Sequence, residues 1–548
     1  MRLVLFLATT LSLSVVHAEV TSLEVSQRAA LANGKEFGAA GAYEEISGTV
    51  YFAVNPAKPQ NQVIADVSLA PRNAKGQVEF SSDVVIWKPV DLARGNGVTV
   101  VDIANRGSRV ITAFNRPLAG SDFGDAFLMQ QGYTIVWVGW EYDVPATAEL
   151  GLTVPSVPDV ANSALSGLGM AAVRDMASWI KHAPDALFTS EHLLAFGLSQ
   201  SGRFLRTFLY YGMNTDEAGR QVFDGILPHI AGASRLDVNR RGAEPTGLGA
   251  FMATAYPFTD AALPDAVSGS SEGLLENPRA QMNQPRIIYT DSAVEYWGGG
   301  RVAALTHTLP DGSADIELPG NVRRFFLAGT QHGPGMFPPE AATTGQLPGN
   351  PLDYWWFMRA QLTNLKEWVV NEVEPPASRY PRFSDRTLVA LAQLEFPLLA
   401  GVHSPMALTA GTRAGQDLAP VVTAAALPLL VPQVDVDGNE LGGLRHPELS
   451  VPLATYTGWN FTQPERGDPD SLVALAGAYI PFAINAEARA ADADPRLSIT
   501  ERYRSKVDFL NQVDEAAREL VSDRLLLPQD LNPIVQRASA HWDLLMTR

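Results

Sequence analysis

Runs of hydrophobic residues alternate between strand-like and helix-like spacing through the middle of the chain. Val98–Ile103, Thr134–Val138 and Leu193–Phe196 are short, largely apolar runs, whereas the apolar positions of Leu165–Ile180 recur at helical spacing. Continuous apolar strands that alternate with amphipathic helices are typical of a mostly parallel sheet that helices cover on both faces. The pattern therefore predicts an α/β fold.

The first part of the chain has a different texture. Strand-like runs such as Gly48–Phe52 and Ser82–Trp87 are separated by turn residues, and no helical period lies between them. We interpret Asn73–Gly76 as a hairpin turn. Residues 19–90 are therefore predicted to supply antiparallel N-terminal strands that join the main sheet.

The remaining boundaries follow from changes in composition. Residues 91–375 carry the alternating pattern and are predicted to form the core of the fold. The stretch 232–283 is rich in Gly, Pro and Ser and interrupts the alternation, which favours a cap insertion. Residues 376–548 form a C-terminal extension that we expect to pack on the core. Ser498 and Glu501 have the spacing of a capping box and mark a helix start there.

The N-terminus has the features of a secretory signal peptide. Arg2 precedes the apolar run Leu3–Val16, and the small residue Ala18 follows it. The run is short for a transmembrane span. We expect residues 1–18 to be removed after Ala18, which predicts a periplasmic or secreted protein. An uncleaved anchor is the alternative.

Composition limits the class of partner. The 548 residues carry a formal net charge of -18, and nucleic acids and anionic membranes both require basic surfaces. No segment after the N-terminal run is long and apolar enough to span a membrane. The chain has no cysteine, so disulfides and thiol chemistry are excluded. The sequence assigns no oligomeric state.

The clearest chemical motif is the stretch Phe196–Leu205. An apolar strand runs directly into Gly197-Leu198-Ser199-Gln200-Ser201, and a helix follows at once. Small residues on both sides of a serine at such a strand-to-helix turn are typical of a nucleophile elbow, which exposes the hydroxyl. Ser199 is therefore the candidate nucleophile. The alternative is an N-cap serine at an ordinary helix start.

A nucleophilic serine needs a base, a carboxylate that orients the base, and donors for an oxyanion. His332 lies in a glycine-flanked loop after the last clear strand, where a ring could reach the serine. His229 lies on an apolar strand and is more typical of a core histidine. His307 precedes a polar turn and could support the site indirectly. We therefore predict His332 as the base.

The orienting carboxylate has two candidates. Asp291 and Glu295 both follow the strand that begins near Arg286. Position alone favours Asp291, because it lies nearer the end of the strand. Spacing does not decide between them.

The oxyanion donors are expected to be backbone N–H groups. The first is the N–H of Gln200, the residue after the nucleophile. The second is expected from the loop after Val98–Ile103, in which Arg106 and Gly107 are the candidates and Gly107 permits close approach of substrate. The alternative is that this loop is only a tight turn.

Metal and cofactor motifs are absent from the sequence. Asp435–Glu440 is rich in acidic residues, but its glycine does not have the EF-hand offset, and a hairpin turn is favoured. There is no zinc-protease helix motif, Walker loop or dinucleotide fingerprint. No cofactor is implied.

Several stretches resemble a known family. The chain is similar to the large secreted α/β-hydrolase family whose members are described as alpha/beta hydrolase domain proteins. The matching stretches are Ala70–Ala74, Ala104–Gly107, Gly132–Trp140, Gly197–Leu205, Glu295–Trp297, Gly329–Gly333 and Pro452–Trp459. The resemblance implies an α/β-hydrolase fold over nearly the whole mature chain.

The same resemblance implies a serine-hydrolase triad and an esterase-like activity. The family motif has a glutamate before Tyr-Trp, which moves the preferred acid from Asp291 to Glu295. The implied reaction is cleavage of a small-molecule carboxylic ester by Ser199, His332 and Glu295 through an acyl-enzyme. The alternatives are an amidase or peptidase with the same triad, and a non-catalytic exported binding protein of the same fold.

The signal-peptide interpretation predicts a mature N-terminus at Glu19. N-terminal sequencing of the protein recovered from the extracytoplasmic fraction measures this directly. Recovery of the intact chain from the cytoplasm would contradict the interpretation.

Overall fold

The computed structural model describes residues 20–247, 254–298, 302–415 and 426–547. Residues 1–18, with the predicted signal peptide, lie outside the described residues. The strands are β1 (Val20–Ala30), β2 (Tyr43–Val54), β3 (Val78–Pro89), β4 (Val98–Ile103), β5 (Thr134–Val138), β6 (Leu152–Thr153), β7 (His192–Leu198), β8 (Gly225–His229), β9 (Leu263–Pro264), β10 (Ser271–Glu272), β11 (Arg286–Ser292), β12 (Val322–Leu327), β13 (Leu388–Ala390), β14 (Leu430–Pro432), β15 (Ala454–Tyr456) and β16 (Tyr479–Pro481).

The α-helices are spread along the whole described chain. They are α1 (Pro59–Gln62), α2 (Phe127–Gln130), α3 (Leu168–His182), α4 (Gln200–Tyr210), α5 (Val294–Trp297), α6 (Trp355–Asn371), α7 (Pro447–Ser450), α8 (Ala486–Ala491), α9 (Ile499–Arg502), α10 (Lys506–Ser522) and α11 (Leu531–Met546). Ser498 and Glu501 form the predicted capping box at the start of α9.

One large mixed sheet organises the fold. Its strand order is β1-β2-β3-β5-β4-β7-β8-β11-β12, and β6 pairs with β3. The strands from β5 to β12 in this order run parallel to one another. The strands β1, β2 and β3 are antiparallel, and β3 joins β5 antiparallel. The predicted α/β fold with a mostly parallel sheet is confirmed.

Burial explains why the central strands are apolar throughout. Every residue of β4 and of β5 is buried, so both faces of the sheet are covered at these strands. The helix α3 packs against β3, β5 and β7, while α6 packs against β8 and β11. The strands β1 and β2 are partly exposed instead, and their sequences mix polar and apolar residues.

One local prediction is wrong. Asn73–Gly76 forms a tight turn, closed by the Asn73 N–H on the carbonyl of Gln77 at 2.9 Å. It does not join two paired strands directly. The turn precedes β3, and a long connection that contains α1 separates it from β2. The four residues do form a turn, but the strand that pairs with β3 is β2, on the far side of the connection that contains α1.

The two segments outside the alternating pattern bond to a helix and to a strand of the core, respectively. Within 232–283 the structure describes the short antiparallel pair β9–β10 and otherwise mostly irregular backbone. The buried Arg206 of α4 anchors this insertion by donating to the carbonyl of Phe258 at 2.6 Å. The C-terminal extension bonds to the edge strand β12, where the N–H of Leu444 donates to the carbonyl of Phe326 at 2.7 Å. Among the described helices, none has the length and hydropathy of a membrane span.

Candidate active site

The carboxyl ends of the parallel strands place the predicted site residues at one edge of the sheet. Ser199 directly follows β7, Glu295 lies on α5 just after β11, and His332 lies in the loop after β12. Loops at this edge are where α/β sheets usually build their sites, because the ends of all parallel strands meet there. Residues far apart in sequence thereby become neighbours.

Ser199 lies in a strained turn between β7 and α4. Its backbone has φ 58° and ψ -109°, a combination that non-glycine residues rarely adopt. Small neighbours make the turn fit. A Cβ on Gly197 would lie 2.4 Å from the carbonyl oxygen of Ser201, and one on Gly202 would lie 2.7 Å from that of His229. The turn therefore requires glycine at position 197, the first small residue of the sequence pattern, and at position 202, just after the pattern.

The neighbouring serine has a structural contact instead. The hydroxyl of Ser201 is buried, accepts from the N–H of Leu198 at 2.9 Å and donates to the carbonyl of the same residue at 3.0 Å. These two bonds close the turn around Ser199. Ser201 is thus occupied in holding the backbone.

His332 connects the serine to a carboxylate. Its Nε2 lies 2.8 Å from the Ser199 hydroxyl, and its Nδ1 lies 2.6 Å from Oε1 of Glu295. An ionised carboxylate can only accept, so in the neutral ring Nδ1 carries the proton and Nε2 is the acceptor. Nε2 is therefore placed to take the proton of the serine hydroxyl.

Other hydrogen bonds hold Glu295 and His332 in position. The second oxygen of Glu295 accepts from the Ser292 N–H at 3.2 Å and from the Ser292 hydroxyl. The backbone of the histidine is fixed as well, because the Tyr354 hydroxyl donates to the carbonyl of His332 at 2.5 Å. Glu295 is completely buried, so these donors replace the water that it loses.

The alternative acid, Asp291, lies on the strand itself and faces other partners. Its Oδ2 is 2.9 Å from Nη1 of the buried Arg324, and its Oδ1 accepts from the Gly232 N–H at 3.0 Å. The structure therefore brings Glu295, and not Asp291, into contact with His332. Asp291 forms a buried ion pair that ties β11 to β12.

The two other histidines considered are both buried. Nδ1 of His229 forms a hydrogen bond with the Thr290 hydroxyl at 2.8 Å, and burial lowers the pKa of His229 to about 3. It is a neutral core histidine whose carbonyl accepts the Ser199 N–H at 2.9 Å. His307 bonds the Tyr296 hydroxyl at 2.9 Å, next to Glu295 in sequence. Neither ring bonds to the serine hydroxyl.

The predicted oxyanion donors have different surroundings. Gln200 is the first residue of α4, and the first N–H of a helix has no partner within it. The Gly107 N–H, in contrast, donates to Oε2 of Glu141 at 3.1 Å. The prediction of Gly107 as a donor to the oxyanion does not fit this contact. Arg106, the other candidate in that loop, has φ 51°, and its role as a donor stays a prediction.

Glu141 is a site residue that the sequence reasoning missed. It is buried, and Oε1 accepts from Nε2 of Gln200 at 2.6 Å while Oε2 accepts from Gly107. Glu141 thus connects α4, the helix that follows Ser199, to the loop after β4. Its position just beyond the carboxyl end of β5 could have pointed to it, since that edge carries the other site residues.

No metal centre accompanies these residues in the described parts of the chain. None of the described His, Asp and Glu residues form a group of three that could hold an ion. In the Asp435–Glu440 turn, Asp435 pairs with Arg445 at 2.9 Å and Asp437 pairs with Arg502.

Comparison with known proteins identifies the family of the chain. The family model described as "Alpha/beta hydrolase domain" matches residues 38–536. The chain belongs to this family. Membership supports a hydrolase, and the resemblance seen in the sequence motifs is confirmed at the level of the family. No curated protein matches the chain.

Solved esterase structures are distant from this chain. A carbohydrate esterase family 15 glucuronoyl esterase from Caldicellulosiruptor kristjansonii is 8% identical over 64% of this chain and 80% of its own, with a TM-score of 0.27. Esterase B from Lactobacillus rhamnosis is 14% identical over 33% of this chain and 47% of its own, with a TM-score of 0.16. The match thus spans less than half of esterase B.

The burial of Glu141 predicts a pH-dependent stability. Burial is the main cause of the shift and raises the pKa of Glu141 from 4.5 to about 7, although the hydrogen bonds from Gln200 and Gly107 act to lower it. A raised pKa means that this carboxyl stabilises the fold fully below about pH 4.5 and loses that contribution as the pH rises through about 7. We expect the free energy of unfolding of wild type minus that of Glu141→Gln to fall by up to about 3 kcal/mol between about pH 5 and about pH 8.

Urea denaturation at both pH values measures this difference. Glu515→Gln serves as the control, because it removes an exposed carboxylate on α10 and should change far less with pH. A difference for Glu141→Gln that is constant or grows with pH would contradict the prediction.

Proposed function

We propose that this chain is an exported serine hydrolase that cleaves small carboxylic esters. The observation that carries the proposal is the continuous hydrogen-bonded chain from the Ser199 hydroxyl through His332 to Glu295, with distances of 2.8 and 2.6 Å. A nucleophile, a base and a buried orienting carboxylate in this geometry are the requirements for acyl transfer. Family membership over residues 38–536 supports the same reaction class.

In the proposed reaction, Oγ of Ser199 attacks the ester carbonyl carbon while Nε2 of His332 takes its proton. Glu295 accepts the Nδ1 proton in a hydrogen bond and stabilises the imidazolium that results. Collapse of the tetrahedral intermediate breaks the carbon–oxygen bond of the ester, and the imidazolium protonates the leaving alcohol. Water then repeats the sequence on the acyl-enzyme, which releases the acid and restores the serine.

The charge that develops on the carbonyl oxygen needs donors that are already in place. We assign the first to the Gln200 N–H at the start of α4, where the helix dipole also favours an anion. We assign the second to the Arg106 N–H. Glu141 supports both by bonding to the Gln200 side chain and to the adjacent Gly107 N–H.

The ester preference and the export are each supported by one line of reasoning. The preference for esters rests on the family resemblance of the sequence motifs, and a comparison of p-nitrophenyl esters with the matching p-nitroanilides tests it against amide cleavage. Export rests on the pattern of residues 1–18.

We predict that Ser199→Ala lowers p-nitrophenyl ester turnover by on the order of 10⁶, because removal of the nucleophile leaves only the oxyanion donors and binding. The matched variant is Ser201→Ala, two residues away. It should keep most of the turnover and lose about 1 kcal/mol of stability through its two bonds to Leu198. If Ser201→Ala is inactive while folded and Ser199→Ala stays active, the assignment is wrong.

The second pair of variants separates the two carboxylates. Glu295→Gln keeps the shape of the side chain but cannot stabilise the imidazolium, so kcat should fall by on the order of 10⁴ in a protein that still folds. Asp291→Asn should keep most of its kcat and be destabilised instead, because it breaks the buried pair with Arg324. Thermal unfolding and steady-state kinetics on both variants decide the matter. The reverse pattern would transfer the role to Asp291.

A further inference from the structure

The turn Asp435–Glu440, whose sequence resembles a metal-binding loop, ends at Glu440, and this side chain has other partners than the two aspartates. Asp435 and Asp437 face Arg445 and Arg502, as described above. Glu440 points into the protein and is 1% exposed. Its Oε1 accepts from the indole Nε1 of Trp297 at 2.5 Å, and its Oε2 accepts from the backbone N–H of Gly329 at 2.6 Å.

These two donors lie next to the base and the acid of the proposed triad. Trp297 is two residues after Glu295 on the short helix α5, and Gly329 is three residues before His332 in the loop after β12. Glu440 comes from neither segment, because it belongs to the C-terminal extension. One buried carboxylate therefore bridges the two loops whose side chains must meet at 2.6 Å.

The extension itself is fixed at this point. Leu444 is inserted in the backbone ladder of β12: its N–H donates to the carbonyl of Phe326 at 2.7 Å, and its carbonyl accepts from the N–H of Ala328 at 3.0 Å. The segment that carries Glu440 is thus an addition to the edge of the main sheet. The carboxylate of Glu440 therefore has a defined position relative to β12.

The packing leaves little freedom at the donors. Gly329 has φ 67°, and a Cβ there would lie 2.7 Å from the side chain of Leu449. Trp297 is 1% exposed. If Glu440 lost one acceptor oxygen, a buried N–H would lose its partner, which costs more than an exposed bond. Burial raises the pKa of Glu440 to about 7, although the hydrogen bonds from Gly329 and Trp297 act to lower it.

We propose that Glu440 is a positioning residue that holds the Glu295 helix and the His332 loop at the separation required by their hydrogen bond. Glu440 has this role only if Ser199, His332 and Glu295 react as proposed above. The extension then contributes to catalysis without touching the substrate.

The test is Glu440→Gln in the full-length protein. The amide keeps the volume but offers one acceptor, and its NH₂ group would face an N–H donor. We expect kcat for p-nitrophenyl esters and the rate of fluorophosphonate labelling to fall together by about 10- to 100-fold, because small misplacement of reacting groups costs this much. KM should change far less. Unchanged kcat and labelling in folded Glu440→Gln would overturn the proposal.

Glu448→Gln is the matched control. Glu448 is also a buried glutamate of the C-terminal extension, but it pairs with Arg537 at 2.9 Å and His541 at 3.1 Å and bonds neither loop of the triad. It should lower the melting temperature and leave kcat nearly unchanged. An equal loss of kcat in Glu448→Gln at an equal loss of stability would show general destabilisation and overturn the proposal.

Two further measurements cover the remaining outcomes. If Glu440→Gln does not fold, Trp297→Phe removes one donor and keeps an aromatic ring, and a wild-type kcat in that variant overturns the proposal. The low-field proton resonance of the His332 Nδ1–H, assigned by its absence in His332→Ala, reports the bond to Glu295 without any turnover. It should shift or vanish in Glu440→Gln, and an unchanged resonance counts against the positioning role. Wild type that takes no fluorophosphonate label would instead overturn the proposed function, whereas the resonance reports only whether Glu440 holds the bond between His332 and Glu295.

Discussion

The convergence of parallel strand ends at one edge of the sheet is the constraint on which the site depends. The strands β4, β5, β7, β11 and β12 all end there, and each is followed by a loop that carries one part of the site. Because β7 and β12 are locked into one hydrogen-bonded sheet, Ser199 and His332 meet although 133 residues separate them. The chemistry is therefore a consequence of strand direction before it is a consequence of any single side chain.

Buried carboxylates then stabilise the strands and loops around the site. Asp291 pairs with Arg324 between the two strands that bear the acid and the base. Glu141 connects the elbow helix to the loop after β4, and Glu440 connects the two loops of the acid and the base. Each of these groups is costly to bury, and each is compensated by N–H donors or a guanidinium. Glu141 and Glu440 bond to the loops of the proposed site, where small displacements would matter most for the reaction, whereas Asp291 joins β11 to β12.

The sequence revealed the parts of the site that are local. The elbow around Ser199 is a strand, a small-residue turn and a helix in ten consecutive residues, so its pattern is readable without the fold. The choice between Asp291 and Glu295 was not local, because it depends on Arg324, which lies 33 residues beyond Asp291. Glu440 could not be found at all from spacing, since its two partners lie 111 and 143 residues away.

In the proposed reaction, Ser199, activated by His332, attacks a carbonyl whose oxygen is held by the Gln200 N–H. A crystal structure of the wild-type protein after reaction with an alkyl fluorophosphonate tests this most directly. We expect phosphorus bonded to Oγ of Ser199, with the phosphoryl oxygen within hydrogen-bonding distance of the Gln200 N–H and His332 still beside Glu295. An unmodified Ser199, an adduct on Ser201, or a phosphoryl oxygen directed away from the start of α4 would contradict it.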